Sequence, residues 1–290
     1  MHNLKRNPFF LAFLTALCGG PVVIAAKVAL EVFQPFTISF LRFFLATLLL
    51  LPFILLANKT NPAPLKKYLP VGIIGALSPI LVFIAIQYTQ TSIFAFIYAS
   101  VPAITALYLF LTKQETMHKK QTLGIILGLF GVGIIVLLPL FEQRVPLMAL
   151  TGNILLFLST LPFIAYGIMN RKYLQQTHAS ALMLSFYFCV IAALLCLPFM
   201  INELQTALPT GIELKHWIAI LCTGILAGTF YLIYQYALKV ASAAVASLFT
   251  YLLPIVTISL AIVLLGEKLT FPFIIGGTFA ILGARLASGK

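Results

Sequence analysis

Residues 91–131 read TSIFAFIYASVPAITALYLFLTKQETMHKKQTLGIILGLFG, and residues 243–283 read AAVASLFTYLLPIVTISLAIVLLGEKLTFPFIIGGTFAILG. The second stretch is the first displaced without a gap: Pro102 returns as Pro254, Glu115 as Glu267, Gly124 as Gly276 and Gly131 as Gly283. Upstream, at the same displacement, Gly72 falls on Gly224 and Ala85 on Ala237. Each copy reads as an apolar helix with a central proline, a Glu-bearing turn and a glycine-rich apolar helix. A repeated unit of this size governs the architecture, because each copy is one structural module.

Composition says what solvent surrounds those modules. The chain has 290 residues, of which 62% are hydrophobic and 8% charged, and its mean hydropathy is +1.10. A soluble domain carries about 25% charged residues, so this surface faces lipid. There is no Asp, and the six Glu are Glu31, Glu115, Glu142, Glu203, Glu213 and Glu267. The net charge of +12 is scattered over the gaps between apolar runs, not gathered into a patch, which argues against nucleic acid. Cys18, Cys189, Cys196 and Cys222 sit in apolar runs without metal-ligand spacing, so they read as small hydrophobes. No metal site and no cofactor are expected.

A membrane-spanning helix needs about 20 mostly apolar residues. Ten segments qualify: 8–30, 36–57, 69–88, 91–111, 121–141, 147–169, 180–201, 216–237, 242–264 and 271–287. The N-terminal run is long and lacks a small-x-small cleavage site, so it reads as a retained helix. Lys and Arg in short loops report orientation. Placing the N-terminus inside puts thirteen of them on the cytoplasmic face, from Lys5 to Lys290. Only Arg144, Lys215 and Lys268 then fall outside. Both termini are therefore expected in the cytoplasm. Five crossings per repeat mean that residues 1–145 and 146–290 form two repeats of inverted topology. The fold class is all-α: ten transmembrane helices in two inverted five-helix repeats. Inverted repeats with a site near the midplane and alternating access are a transporter plan.

Other residues carry a resemblance. Ala26-Lys27, Pro35, Arg42 and Leu-Pro52 in the first two segments resemble the drug/metabolite transporter superfamily. So do Pro102 with Glu115, and Pro254 with Glu267 in Leu-Leu-Gly-Glu-Lys268. The narrower likeness is to its ten-helix EamA-like members. Where members often carry Trp-Gly in the first helix, this chain has Cys18-Gly-Gly-Pro21. The resemblance implies a carrier of the bacterial inner membrane that exports amino acids or other small metabolites through a central cavity lined by both halves.

Candidate site residues follow from polar groups inside apolar segments. An ionisable side chain in a span is costly and marks function by default, which singles out Lys27 and Arg42. Lys27 reads either as an interfacial cation paired with Glu31 or as a substrate contact. Arg42 reads either as an anchor to backbone carbonyls or as the group that attracts a substrate carboxylate or phosphate. Gln87, Tyr98, Tyr166, Asn170, Gln235 and Tyr251 complete the substrate-binding set, with Tyr166 and Asn170 on one helix face as an inner gate. Tyr68, Tyr108 and Tyr173 read as interface belt.

Pro102 and Pro254 are the candidate hinges. Glu115 and Glu267 are expected to cap or tie the turns they occupy. Gly124-x3-Gly128 and Gly224-x3-Gly228 read as close helix contacts within one chain, and a monomer is expected.

No carboxylate or His lies mid-span, so a proton relay and a counter-charge for a cationic drug are both missing. An enzyme is not expected, since nothing pairs a nucleophile with a base. The expected partners are a small-molecule substrate and membrane lipid. A small polar metabolite, amino acids first, is the expected cargo, with an organic anion or phosphorylated metabolite held by Lys27 and Arg42 as the alternative. A channel or scaffold is the remaining rival.

Overall fold

The computed structural model describes residues 8–56, 65–113, 118–141, 147–177, 179–240, 249–269 and 271–287. Lipid offers backbone groups no hydrogen bonds, so each apolar run satisfies its own by forming a helix. The helices are α1 (Pro8–Ala29), α2 (Pro35–Leu56), α3 (Leu65–Ala85), α4 (Thr91–Tyr98), α5 (Val101–Leu111), α6 (Lys119–Phe141), α7 (Met148–Thr177) and α8 (Ala181–Thr206), then α9 (Leu214–Val240), α10 (Phe249–Leu265) and α11 (Phe271–Ala287). Several buried hydroxyls bond back one turn, as Thr15 does to the Leu11 carbonyl and Ser185 to that of Ala181. Seven helices among the described residues are long and apolar enough to cross a membrane, Thr91–Leu111 counted as one, and three shorter apolar helices lie in α1, α10 and α11. The described residues thus form a multi-pass bundle of ten helical segments.

Segment ends depart from the hydropathy reading where amphipathic residues take over. α7 continues eight residues past 169 through Asn170-Arg-Lys-Tyr-Leu-Gln-Gln-Thr177. Those residues end the apolar run, but Tyr173 and Leu174 are buried, and Tyr173 packs edge-on against Tyr68. Packing, not hydropathy, extends this helix.

Contacts between the halves obey a two-fold relation. α1 packs on α9 as α7 packs on α3, α2 meets α9 as α8 meets α3, and α6 and α11 pack chiefly on each other. The repeated glycines explain the close approaches. A Cβ on Gly131 would lie 2.4 Å from both the Gly276 carbonyl oxygen and the Ala280 nitrogen. One on Gly283 would lie 2.6 Å from the Gly124 oxygen and 2.1 Å from the Gly128 nitrogen. These are the same contacts seen from the two sides of the repeat. Gly72 packs on Ile191 of α8, and its counterpart Gly224 packs on Leu45 of α2. Gly124, Gly128, Gly224 and Gly228 all face helices of their own chain.

The paired prolines are not equivalent in the structure. Before Pro102 the chain passes through a tightened turn, where Ser100 N–H bonds to the Ile97 carbonyl at 3.1 Å and Ser100 Oγ donates to it at 2.7 Å. This separates α4 from α5 while keeping the backbone bonded. Pro254 lies inside the continuous helix α10.

Candidate functional site

A cavity of about 60 Å³ lies where the halves meet. Gly19, Val22 and Val23 of α1, Ser78, Pro79, Val82 and Phe83 of α3, and Phe94 and Tyr98 of α4 line it from the first half. Phe163, Phe230, Tyr231 and Leu253 line it from the second. Among the described residues, Arg42 of α2 is its only charged lining group. Ligand sites of small-molecule proteins span about 300–1,000 Å³, so this conformation holds the walls close together and a metabolite requires them to part.

Arg42 is 5% exposed. Its Nη2 donates to the Tyr231 hydroxyl at 3.3 Å, and its guanidinium carbon stands 4.8 Å from the ring centres of both Phe43 and Phe83. Aromatic faces attract a cation by roughly 0.5–2 kcal/mol, which offsets part of the burial cost. Arg42 Nε has no hydrogen-bond partner, and the ion pairs found among the described residues do not include Arg42. A buried guanidinium with a spare donor and no counter-charge among the described residues has the chemistry to receive an anion. Opposite it, the Tyr98 hydroxyl meets Ser78 Oγ at 2.9 Å and Ser159 Oγ at 3.1 Å. Tyr98 therefore supplies a neutral polar patch on the same cavity.

Polar side chains knit the bundle together at each end. At one end Lys27 Nζ donates to the carbonyls of Ile86 and, at 3.0 Å, Thr89, which follow α3. Thr89 Oγ1 donates to Asn153 Oδ1 at 2.6 Å, and the Asn153 amide donates to the Ile135 carbonyl at 3.1 Å. Glu267 accepts from Thr91 N and Thr91 Oγ1, both at 2.7 Å, from Ser92 N at 3.0 Å and from Ser92 Oγ. Gly266, at φ +65°, makes this geometry: it ends α10 in the left-handed conformation and turns Glu267 toward α4.

At the other end Asn170 Nδ2 donates to Gln235 Oε1. Gln235 Nε2 in turn donates to the Tyr166 hydroxyl at 2.7 Å and the Tyr68 hydroxyl at 3.2 Å.

The expected site residues thus divide three ways. Arg42 and Tyr98 line the cavity. Tyr166, Asn170 and Gln235 form one buried cluster beyond Phe163, joined by Tyr68, which is buried and not part of an interface belt. Lys27 and Gln87 are elsewhere: Lys27 binds carbonyls at the bundle end, and Gln87, in the turn after α3, donates to the Ile84 carbonyl. Tyr251 lies in α10 with its side chain outside the described residues, as is the whole of Glu115.

The pairing of Lys27 with Glu31 is corrected, since Glu31 binds Lys215 at 2.8 Å and His216 at 3.2 Å. The Glu267 reading is also corrected, because the carboxylate caps α4 of the opposite half and not its own turn. Four hydrogen bonds at a helix N-terminus outcompete a local turn contact. Ser78 and Phe83 of the cavity escaped the sequence reading, and Tyr231, one of its polar aromatic residues, lies outside the expected substrate-binding set. Tyr231 carried the clearer signal, sharing a face with Tyr234 and Gln235 at helical spacing.

Among the described residues, ten apolar helical segments surround an apolar cavity with a two-fold relation between halves, the architecture of a membrane transporter. The EamA-like transporter family matches residues 7–137 and 150–289, and the chain belongs to it. An uncharacterized transporter of Bacillus subtilis, YetK, is 29% identical over 92% of this chain and 82% of its own length. A second from the same organism, YyaM, is 26% identical over 100% and 95%. An uncharacterized transporter of Archaeoglobus fulgidus is 27% identical over 99% of each chain. A protein of known crystal structure superposes with a TM-score of 0.71 at 17% identity, covering 97% of this chain and 96% of that one. That likeness concerns the fold alone.

Proposed function

We propose that the protein is a secondary transporter that moves a small polar metabolite bearing a carboxylate or another oxyanion across the membrane by alternating access. Amino acids, carried outward, are the first substrate class, because each brings a carboxylate to the cavity. Organic anions and phosphorylated metabolites moved by exchange are the alternative. One observation carries the anionic requirement: among the described residues, the Arg42 guanidinium is buried at the cavity with its Nε free of partners and no acidic side chain lining the cavity beside it. An anion brought by the substrate supplies that missing charge.

In this reading Tyr231 orients the guanidinium, Tyr98 and Ser78 receive the polar remainder of the substrate, and Phe83, Phe94 and Phe230 exclude water. Lys27 contributes to closure, not to binding. The two polar clusters at the bundle ends are the gates of the alternating cycle. The basic loop bias supports termini in the cytoplasm and residence in the bacterial inner (plasma) membrane, with the chain working as a monomer. The fold of two pseudo-symmetric halves favours a carrier over a channel.

Counterflow in proteoliposomes tests the proposal. Saturable uptake driven by internal unlabelled carboxylate, with or without a pH gradient, is the expected result. Transport confined to organic cations, or a conductance without saturation, overturns it.

A further inference from the structure

Three carboxylates bridge the two halves at a single end of the bundle. Glu31 of the first half binds Lys215 and His216 of the second. Glu203 of the second half accepts from Phe36 N at 3.0 Å, Thr37 N at 2.7 Å and Thr37 Oγ1 at 2.8 Å, capping α2. Glu267, also of the second half, caps α4 with both oxygens. The cluster at the opposite end contains no charged side chain among the described residues: its Asn170–Gln235 bond lies within one half, and its Gln235–Tyr68 bond joins the halves by a neutral contact.

α4 is the element that joins the Glu267 end to the cavity. It is eight residues long, begins at the residues that Glu267 holds, and carries Phe94 and Tyr98 into the cavity wall. Its far end is the tightened turn at Ala99–Ser100, so it is separated from α5 just where a pivot is needed. Lys27 adds a second hold, binding the Ile86 and Thr89 carbonyls immediately before α4 and acting electrostatically on Glu267. Anionic caps at helix N-termini combine hydrogen bonding with the favourable helix dipole.

The repeat makes the arrangement unequal. The positions corresponding to Thr91 and Ser92 are Ala243 and Ala244, which carry no hydroxyl.

We infer that Glu267 is a positioning residue for transport: by capping α4 it latches the gate at its own end of the bundle, and Thr91 and Ser92 bias the empty carrier toward closure there. This rests on the carrier reading above. Opening at that end requires α4 to leave Glu267, moving Phe94 and Tyr98 away from Arg42, while the uncharged cluster at the other end is the gate that yields first.

The test reads the gate without any substrate. The full chain, with Cys18, Cys189, Cys196 and Cys222 replaced by Ala, carries a reporter Val82→Cys in the cavity wall. It is labelled with a membrane-impermeant thiosulfonate in vesicles of both orientations. A separate Lys268→Cys chain, exposed at the Glu267 end, identifies which orientation presents that end. Thr91→Ala with Ser92→Ala, which copies the other repeat, is expected to raise labelling from the Glu267 end about tenfold and to leave or lower it from the opposite end. Glu267→Gln is expected to act in the same direction and provides the measurement if the double variant fails to insert. Equal labelling with and without the substitutions, or a rise from both ends alike, overturns the inference. A wild-type chain that labels as expected but carries no carboxylate overturns the substrate reading alone.

Discussion

Arg42 of α2 and Tyr231 of α9 meet across the two halves, Nη2 donating to the hydroxyl at 3.3 Å, in a cavity whose other walls are aliphatic and aromatic. The bond joins helices that separate when a carrier opens, and the cation has no acidic partner among the described residues. Any anion that enters therefore competes for a charge already held between both halves. That links substrate binding to their relative position.

Replacing Arg42 by Gln removes the charge and keeps a hydrogen-bonding side chain of similar reach. A charge-assisted hydrogen bond is worth about 1.5–3 kcal/mol, so counterflow kcat/KM is expected to fall on the order of 10- to 100-fold. Arg42→Lys is expected to recover only part of the loss, because an ammonium lacks the planar fork. Undiminished transport by Arg42→Gln at equal membrane abundance rules out the anion-receptor role.

Tyr231→Phe leaves the ring stacked beside Arg42 and deletes one acceptor. The expected effect is a rise in KM of roughly 2- to 10-fold, matching a neutral hydrogen bond of about 0.5–1.5 kcal/mol. The maximal rate is expected to change less. A change confined to the maximal rate instead assigns Tyr231 to the conformational step.

The crossing of α6 and α11 admits no Cβ on one side and open space on the other. Gly283→Ala places a methyl 2.1 Å from the Gly128 backbone nitrogen, and backbone atoms yield poorly. Its melting temperature in detergent is expected to drop, with a destabilisation of about 1–3 kcal/mol. Gly133→Ala, with nothing within 4 Å of the new carbon, is the control. It is expected to leave the melting temperature unchanged or slightly raised, since alanine favours the helix.

Gln235 is fully buried between Asn170, Tyr166 and Tyr68. Gln235→Ala strands the Asn170 amide, whose Oδ1 is already without a partner, and a buried polar group left unpaired costs about 1–3 kcal/mol. Gln235→Glu keeps the acceptor for Asn170 and loses the donor to the tyrosines. Thermal unfolding is expected to rank wild type above Gln235→Glu or Gln235→Ala.

Glu31 lies in the loop between α1 and α2, where the hydrogen bond from Lys215, then that from His216, holds its carboxyl below the usual carboxylate range. A depressed folded value means the tie is present above the unfolded pKa of about 4.3 and is lost as pH falls through the folded value. The stability difference between wild type and Glu31→Gln is therefore expected at pH 7 and absent in strong acid. Half of the Glu31 side chain is exposed, so the difference is small and shrinks with salt. A difference independent of pH shows that the contact is not ionic.

The chain order alone was enough for the architecture. Segment number, the two repeats and the lipid-facing composition are written in local hydropathy and in an exact register between residues 91–131 and 243–283. Lipid leaves an apolar segment no alternative to the helix, so composition is nearly sufficient for each crossing. The glycines that allow α6 and α11 to touch were legible for the same reason, because close approach needs the absence of a side chain at regular spacing. Arg42 was legible as a charge out of place. Only the folded bundle decided what each polar group met. It sent Lys27 to carbonyls 59 residues away, Glu267 to a helix 176 residues away, and Tyr68 from an expected interface into the Gln235 cluster. A polar side chain in an apolar helix announces that it needs a partner. Which partner it finds depends on helix rotation and crossing angle, and these are set by packing between segments far apart in the chain.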